Sequence, residues 1–384
     1  MGKLKLLELF GGIGACSKAL ERLGIDYEIV DYVEIDKYAV KSFNAIHNTN
    51  FEPQDIKEWD KDVKVDLIMH GSPCQDFSLA GKQAGGDKDS GTRSSLMYET
   101  IRIVEKLKPK YVVWENVKNL LSKKHRHNFD AYLETMGQLG YTNYYQVLNA
   151  KDYGIPQNRE RVFTVSILGN ENFEFPPKQE LKLKLKDILE DEVDEKYYLS
   201  DKVSKKVQNK FDGIENGVLG GGYIPLVSKQ LVQVAQIYGT DKEPNPQAGR
   251  IYDSEGISPT MDTCGGGNRM PKIMIKNNTK QGYLDAYEGD SVYTNTSTKR
   301  GTVQKDMIQT LTTFQDKGVV VKDEKNNNLR IRKLTPKECW RLMGFDDEDF
   351  EKASKVNSNT QLYKQAGNSI VVNVLEAIFK NLLR

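Results

Sequence analysis

A thiol and a carboxylate stand at corresponding places in the first half of this sequence, each where an apolar run gives way to a turn. The thiol is Cys74, in Gly71-Ser72-Pro73-Cys74-Gln75-Asp76-Phe77-Ser78, directly after the run Asp66-Leu67-Ile68-Met69-His70. That run is short, aliphatic and bounded by glycine and proline, so it reads as a buried strand with Cys74 on the turn leaving its carboxyl end. Pro73 restricts the backbone ahead of the cysteine and sets the direction of its Cβ. The carboxylate is Glu115, closing the run that starts at Tyr111. In an open α/β sheet ligands bind outside the carboxyl ends of the strands, so both groups can face one pocket. A lone cysteine is more often an inert packing residue, and Cys74 by itself decides nothing.

A second constellation opens the chain. Glu8-Leu9-Phe10-Gly11-Gly12-Ile13-Gly14-Ala15 reads as a strand, a glycine-rich turn and a helix start. Glycines let backbone approach a ligand and a helix start offers free N–H donors, although a tight turn needs glycine for its own sake. The dinucleotide fingerprint would require glycine where Ser17 stands, which disfavours NAD. Glu34, at the end of the next strand, is placed to accept from the two hydroxyls of a ribose, and Ile35 beside it offers an apolar face to an adenine. Asp55 and Ile56 could serve the base edge, with Asp55 accepting from an exocyclic amine. A solvated acid at a strand end explains each carboxylate equally well when it is taken singly.

The elements that must position these groups alternate. Strands are predicted over 5–10, 27–34, 66–70 and 111–115, and helices over 14–23, 36–46 and 96–108. A helix near 129–139 and strands over 142–148 and 161–168 complete a doubly wound sheet with helices on both faces. After Pro176-Pro177 the character changes: 178–196 is charged and reads as a linker, and 197–329 is rich in Gly, Asn, Thr and Ser. Gly249-Arg250 leading to Ile257-Ser258-Pro259-Thr260-Met261-Asp262-Thr263 resembles Arg300-Gly301 leading to Ile308-Gln309-Thr310-Leu311-Thr312-Thr313, which suggests a duplicated hairpin. From 333 helical periodicity returns, closing on an amphipathic helix over 370–383.

The chain has 384 residues and a formal net charge of +1, so any nucleic-acid surface must be local. Its four cysteines, Cys16, Cys74, Cys264 and Cys339, form no CxxC pair. That pattern argues against disulfides and a zinc cluster and suits a reducing cytosol. No apolar run is long enough to cross a bilayer, so no membrane association is expected and no metal is expected.

Taken together, these motifs resemble those of the DNA (cytosine-5)-methyltransferases of bacteria and their phages. Glu8 to Gly14 is similar to the family's S-adenosylmethionine loop, with Glu8 where many members carry Asp, and Gly71 to Ser78 is similar to its nucleophile loop. Trp114-Glu115-Asn116-Val117 looks like the acid motif, and Gln157-Asn158-Arg159-Glu160-Arg161 fits the Q-x-R-x-R pattern. The stretch from Arg332-Lys333 to Phe345, and Gln365-Ala366-Gly367-Asn368-Ser369 onward, resemble the last two motifs. The motifs stand in the family's order and span the chain.

The resemblance implies an α/β fold: a doubly wound, Rossmann-like, mostly parallel sheet with a second, smaller β-rich target recognition domain. A catalytic domain over 1–180, a recognition domain over 181–330 and a segment 331–384 returning to the catalytic domain follow. Gly367-Asn368-Ser369 is expected to begin the last helix. S-adenosylmethionine is the implied cofactor, with Phe10, Gly11, Gly12, Gly14, Glu34, Ile35, Asp55, Ile56, Pro73, Leu96, Asn368 and Ser369 as its expected contacts. Double-stranded DNA is the implied partner, with Gln75, Ser78, Gln157, Arg250 and Arg300 facing it, and the glycine-rich stretch 75–93 is implied to be the loop that closes over a flipped base. Lys118, Lys123, Lys124 and Arg126 add local positive charge beside the acid motif. A cognate restriction endonuclease, a monomeric state and a place in the bacterial cytosol at the nucleoid complete the expectation.

The chemistry accounts for the residue types. Carbon 5 of cytosine is too electron-poor to attack a methyl sulfonium, and a thiolate adding to carbon 6 turns the ring into an enamine whose carbon 5 is nucleophilic. Cys74 is the expected thiolate, with a helix start and the guanidinium groups of Arg159 and Arg161 as candidates for stabilising it. Glu115 is expected to hold a proton at N3 and to accept from the exocyclic amine. Rival readings are a member acting on transfer RNA, a catalytically inactive DNA-binding regulator on the same scaffold, and a NAD-dependent oxidoreductase.

Overall fold

The computed structural model describes residues 2–73, 96–198 and 332–383, together with the backbone of short strands at 233–235, 251–252, 258–259, 291–292, 318–322 and 329–331. By its internal contacts the chain divides into two compact units, Met1–Tyr153 with Glu160–Gln179 and Met343–Arg384, and Gly154–Arg159 with Glu180–Leu342.

The first unit is built on β1 (Leu4–Leu9), β2 (Tyr27–Val33), β3 (Leu67–His70), β4 (Tyr111–Val117), β5 (Tyr141–Asn149) and the long strand Glu160–Leu168, which follows the short β6 (Gln157–Asn158) of the second unit and is labelled β7. Sheet order is β2-β1-β3-β4-β7-β5. β2, β1, β3 and β4 run parallel, while β7 is antiparallel to both β4 and β5. The predicted α/β architecture is therefore present, as a mostly parallel mixed sheet. From β1 the chain moves outward to β2 and then crosses to β3 on the other side of β1. A crevice opens at such a reversal, outside the carboxyl ends of β1 and β3.

Helices α1 (Ala15–Arg22), α2 (Lys37–His47), α3 (Met97–Leu107) and α4 (Arg126–Gln138) lie between these strands in sequence, close to their predicted spans. Leu7, Leu9, Ile68, Val112 and Trp114 from the strands pack with Met97, Ile101, Phe129 and Tyr132 from α3 and α4 in one core. The C-terminal α6 (Asp347–Ser354), α7 (Asn359–Asn368) and α8 (Val372–Leu382) belong to the same unit. α8 presents Val372, Leu375, Ile378, Phe379 and Leu382, a helical apolar stripe, and packs on α1. Buried Lys18 of α1 meets Asp346 at 2.9 Å and Asp349 at 3.1 Å, so the end of the chain is pinned beside its first turn.

Gly367-Asn368-Ser369 does not begin the last helix as expected; it closes α7. Ser369 is extended, its N–H donating back to Gln365 at 3.0 Å, and the β-branched pair Ile370-Val371 precedes the start of α8 at Val372.

In the second unit, 291–292, 318–322 and 329–333 form an antiparallel three-stranded sheet, and 233–235 pairs with 251–252. Strand 258–259 pairs with β6, so the two short strands within the first copy of the suspected duplication have different partners; the second copy lies outside the described residues. The charged stretch read as a linker carries buried Leu185 and Ile188 and donates from the Glu190 backbone to Glu338 at 2.9 Å, so it is packed into this unit. Arg332, almost fully buried just ahead of helix α5 (Pro336–Arg341), makes a forked pair with Glu338 at 2.6 and 2.9 Å.

Candidate active site

The turn after β1 is shaped by what lies under it. A Cβ on Gly11 would sit 2.6 Å from the Tyr32 ring, and Gly14, at φ +82°, would place one 2.2 Å from Nε2 of His47. Neither position accepts another residue without displacing an aromatic ring. The Gly12 N–H donates to Glu34 Oε2 at 3.2 Å and the Asp36 N–H to Glu34 Oε1 at 2.8 Å, fixing the carboxylate beside the turn. Burial raises the Glu34 carboxyl above its ordinary range, and those two N–H donors work the other way. Ile35 is 68% exposed, an unusual state for isoleucine and a free apolar face next to that carboxylate. Gln54 donates from its backbone to Glu34 O at 2.9 Å, bringing Asp55 to the same end of β2. Asp55 accepts from the Lys57 N–H at 3.0 Å, whereas the Ile56 side chain is in the core, so only its backbone remains for a ligand. Leu96 caps α3 and packs on that same core.

A cleft runs along this edge of the sheet. Phe10, Gly11 and Gly12 line one end, Met69, Gly71 and Glu115 another, and Asn368, Ser369 and Ile370 reach it from the far end of the chain. It thus gathers Phe10, Gly11, Gly12, Glu115, Asn368 and Ser369 from the expected set; Gly14, Glu34, Ile35, Asp55, Ile56, Pro73 and Leu96 are not in its wall. The rest of the wall, which includes Glu8 and Cys16, had no assigned role. Glu8 is 2% exposed, accepts from the Ser17 N–H at 3.2 Å and from the Ser17 hydroxyl, and burial pushes its carboxyl up to about 7. An acid at an inward position of a buried strand, with serine one helical turn into α1, was the available signal.

Glu115 is 8% exposed at the carboxyl end of β4. Arg161 Nε of β7 lies 3.0 Å from its Oε1. Ahead of Cys74, the Trp114 indole N–H donates to Ser72 Oγ at 3.0 Å and the Asn116 amide donates to the Ser72 carbonyl at 3.3 Å. Trp114 is stacked on His70 at 5.5 Å and 6°, and burial alone pulls that imidazole down to about 3. Adjacent strands β3 and β4 are thus joined at their carboxyl ends by side chains as well as by the ladder. Cys74, Gln75, Ser78 and the stretch 75–93 lie outside the described residues, as do Arg250 and Arg300. Arg159 is 4% exposed in the second unit. Gln157, in that unit too, is fully buried and donates its amide to Leu342 O at 2.5 Å. Of the basic run, Lys118 pairs with Glu160 and Arg126 with Asp130.

The family model for C-5 cytosine-specific DNA methylases matches residues 4–384. The chain belongs to that family. This DNA (cytosine-5)-methyltransferase is 34% identical to the orphan methyltransferase M.SPBetaI of Bacillus phage SPbeta, with 100% of this chain and 98% of that protein aligned. It is 34% identical to the type II methyltransferase M2.ScrFI of Lactococcus lactis subsp. cremoris, over 99% of both, and 31% identical to the type II methyltransferase M.HhaI of Haemophilus parahaemolyticus, over 99% of this chain and 94% of that one. Among solved structures, the Dnmt2 methyltransferase of S. pombe matches with a TM-score of 0.60 at 19% identity, covering 100% of this chain and 98% of that one. A putative DNA modification methyltransferase encoded within an E. coli prophage matches with a TM-score of 0.57 at 20% identity, over 99% of both; these two establish the fold. Family and fold imply use of S-adenosylmethionine and a DNA substrate. No helix among the described residues is long and apolar enough to cross a membrane.

Proposed function

We propose that this methyltransferase modifies carbon 5 of a cytosine flipped out of a specific duplex-DNA site, through a transient bond between Cys74 and carbon 6. The observation that carries the reading is that one cleft is lined both by the glycine turn of β1 and by Glu115. S-adenosylmethionine, when bound, supplies a methyl group on a positively charged sulfur. The surroundings suit it: open space faces Gly12, where an added Cβ would meet nothing within 4 Å, and Ile35 is bare beside the Glu34 carboxylate. Phe10, Gly11, Gly12, Gly14, Asn368 and Ser369 would hold it, with Glu34 on the ribose, Ile35 on the adenine face and Asp55 with the Ile56 backbone at the base edge. Pro73 and Leu96 complete that set.

The Cys74 thiolate adds to carbon 6, and the electron pair displaced from the ring is met by a proton that Glu115 holds at N3. Carbon 5 is then nucleophilic and gains the methyl group; loss of its proton and expulsion of the thiolate restore the aromatic ring. Arg161 orients Glu115, and Arg159 supports charge near the thiolate. Gln75, Ser78, Arg250 and Arg300 face DNA, while Gln157, buried and bonded to Leu342 O, supports its own unit instead; the region over 181–330 selects the site while the rest of the chain does the chemistry. Such an enzyme works on cytosolic DNA as a monomer, with an endonuclease of the same specificity as its partner in a restriction pair.

The test is transfer of labelled methyl groups to duplex DNA and to transfer RNA in parallel, followed by sequencing of methylated cytosines. Label in DNA at one short motif is expected. Label in transfer RNA alone would overturn the substrate.

A further inference from the structure

Asp31 is a buried carboxylate that the chemistry above does not use. It is 2% exposed on β2 and follows a β-bulge, since Leu6 pairs with Ile29 and Leu7 with Asp31, leaving Val30 over. A bulge re-aims the side chains beyond it. Asp31 Oδ1 accepts from the Tyr32 N–H at 3.0 Å and from Gln54 Nε2 at 3.0 Å; Oδ2 accepts from Trp59 Nε1 at 2.7 Å and meets Lys61 Nζ at 2.7 Å. Gln54, Trp59 and Lys61 belong to one irregular stretch between α2 and β3, and Asp55 and Ile56 lie within it. Gln54 also donates to Tyr32 O at 2.8 Å, and Arg102 of α3 closes the other side by donating to Ile56 O at 2.9 Å. Burial works to raise the Asp31 carboxyl, and the donors from Lys61, Trp59 and Gln54 together outweigh it, holding it below the ordinary carboxylate range.

We infer that Asp31 is a positioning residue for the nucleoside end of the cofactor site, locking the stretch that carries Asp55 and Ile56 level with Glu34. It touches no ligand itself. The irregular stretch has no ladder to hold it and only a few backbone bonds, such as Gln54 N–H to Glu34 O, so one carboxylate taking donors from three of its residues adds the ties that a ladder would supply. The inference rests on the reading of Glu34, Asp55 and Ile56 as cofactor contacts.

Calorimetry with S-adenosylhomocysteine on the full chain tests it. Asp31→Asn should weaken binding about tenfold, and Trp59→Phe, which keeps the ring in the core and deletes one donor, about threefold. Amide exchange over 55–58 should quicken in both, while kcat at saturating cofactor and KM for DNA stay within about twofold. In an Asp55→Ala background Asp31→Asn should add less than about twofold, because residues acting through one another are not additive. Equal damage to kcat, both KM values and melting temperature in Trp59→Phe would make Asp31 mere scaffold and overturn the inference. Unchanged affinity in Asp31→Asn and Trp59→Phe while Asp55→Ala weakens binding would also overturn it, leaving the cofactor reading intact. Unchanged affinity in Asp55→Ala would instead remove that reading and the inference with it.

Discussion

Arg161 reaches Glu115 diagonally: its direct partner across the β4–β7 ladder is Val117, yet its Nε lies 3.0 Å from Glu115 Oε1. The side chains are 16% and 11% exposed, so each is the other's compensation for leaving water. Glu115→Gln should lower kcat by about 10²–10⁴ while the protein still binds cofactor. Arg161→Met should destabilise by about 3 kcal/mol because it strands a buried carboxylate, and Glu115→Gln combined with Arg161→Met should recover part of that. Urea melts of the three variants, read beside single-turnover rates, decide it; equal stabilities would mean the pair is not coupled.

Cys74→Ser should abolish methyl transfer and leave DNA affinity within about twofold, since a hydroxyl is a far poorer nucleophile than a thiolate but nearly its size. The wild-type chain, given 5-fluorocytosine DNA and the methyl donor, should form an adduct that survives denaturant. Normal turnover by the serine variant would falsify the covalent route.

Trp114→Phe removes the N–H that holds Ser72 while leaving an aromatic ring against His70 and Tyr132. The buried Ser72 hydroxyl then lacks that donor, at about 1–2 kcal/mol. Turnover should fall more than cofactor affinity does, because Ser72 leads directly into Pro73-Cys74. Binding and rate measured on one preparation separate the two effects.

Stability should respond to pH from two buried groups of opposite sign. The Glu8 carboxyl moves from an ordinary 4.5 to about 7, so the folded chain keeps a proton that the unfolded chain has released, and stability falls as pH rises across that window. His70 moves from 6.5 to about 3, so the unfolded chain takes up a proton the fold refuses, and stability falls as pH drops below about 6.5. Glu8→Gln should therefore gain on the wild type between pH 5 and pH 8 in urea denaturation. A difference that does not change with pH would mean that Glu8 titrates normally.

The sequence by itself determined the order of strands and helices in the first unit, the glycine turn after β1 and the family, because these are local signals: apolar runs of strand length, glycines at a turn, an acid at a strand end. Glu115 and the glycine turn were legible on those grounds, and the cleft does join them. Only the tertiary structure decided that Glu8 lies in that wall, that Ile56 turns into the core, that Gly367-Asn368-Ser369 closes a helix, and that Asp31 gathers Gln54, Trp59 and Lys61. Each of these depends on which distant side chains compete for the same space or the same donor. Glu8 is held by the start of α1, Ile56 is drawn inward by the core that α3 helps to close, and Asp31 owes its aim to one extra residue in an edge strand. Spacing along a chain records what neighbours do to one another, whereas burial and hydrogen-bond partnership across the sheet exist only once the strands have paired.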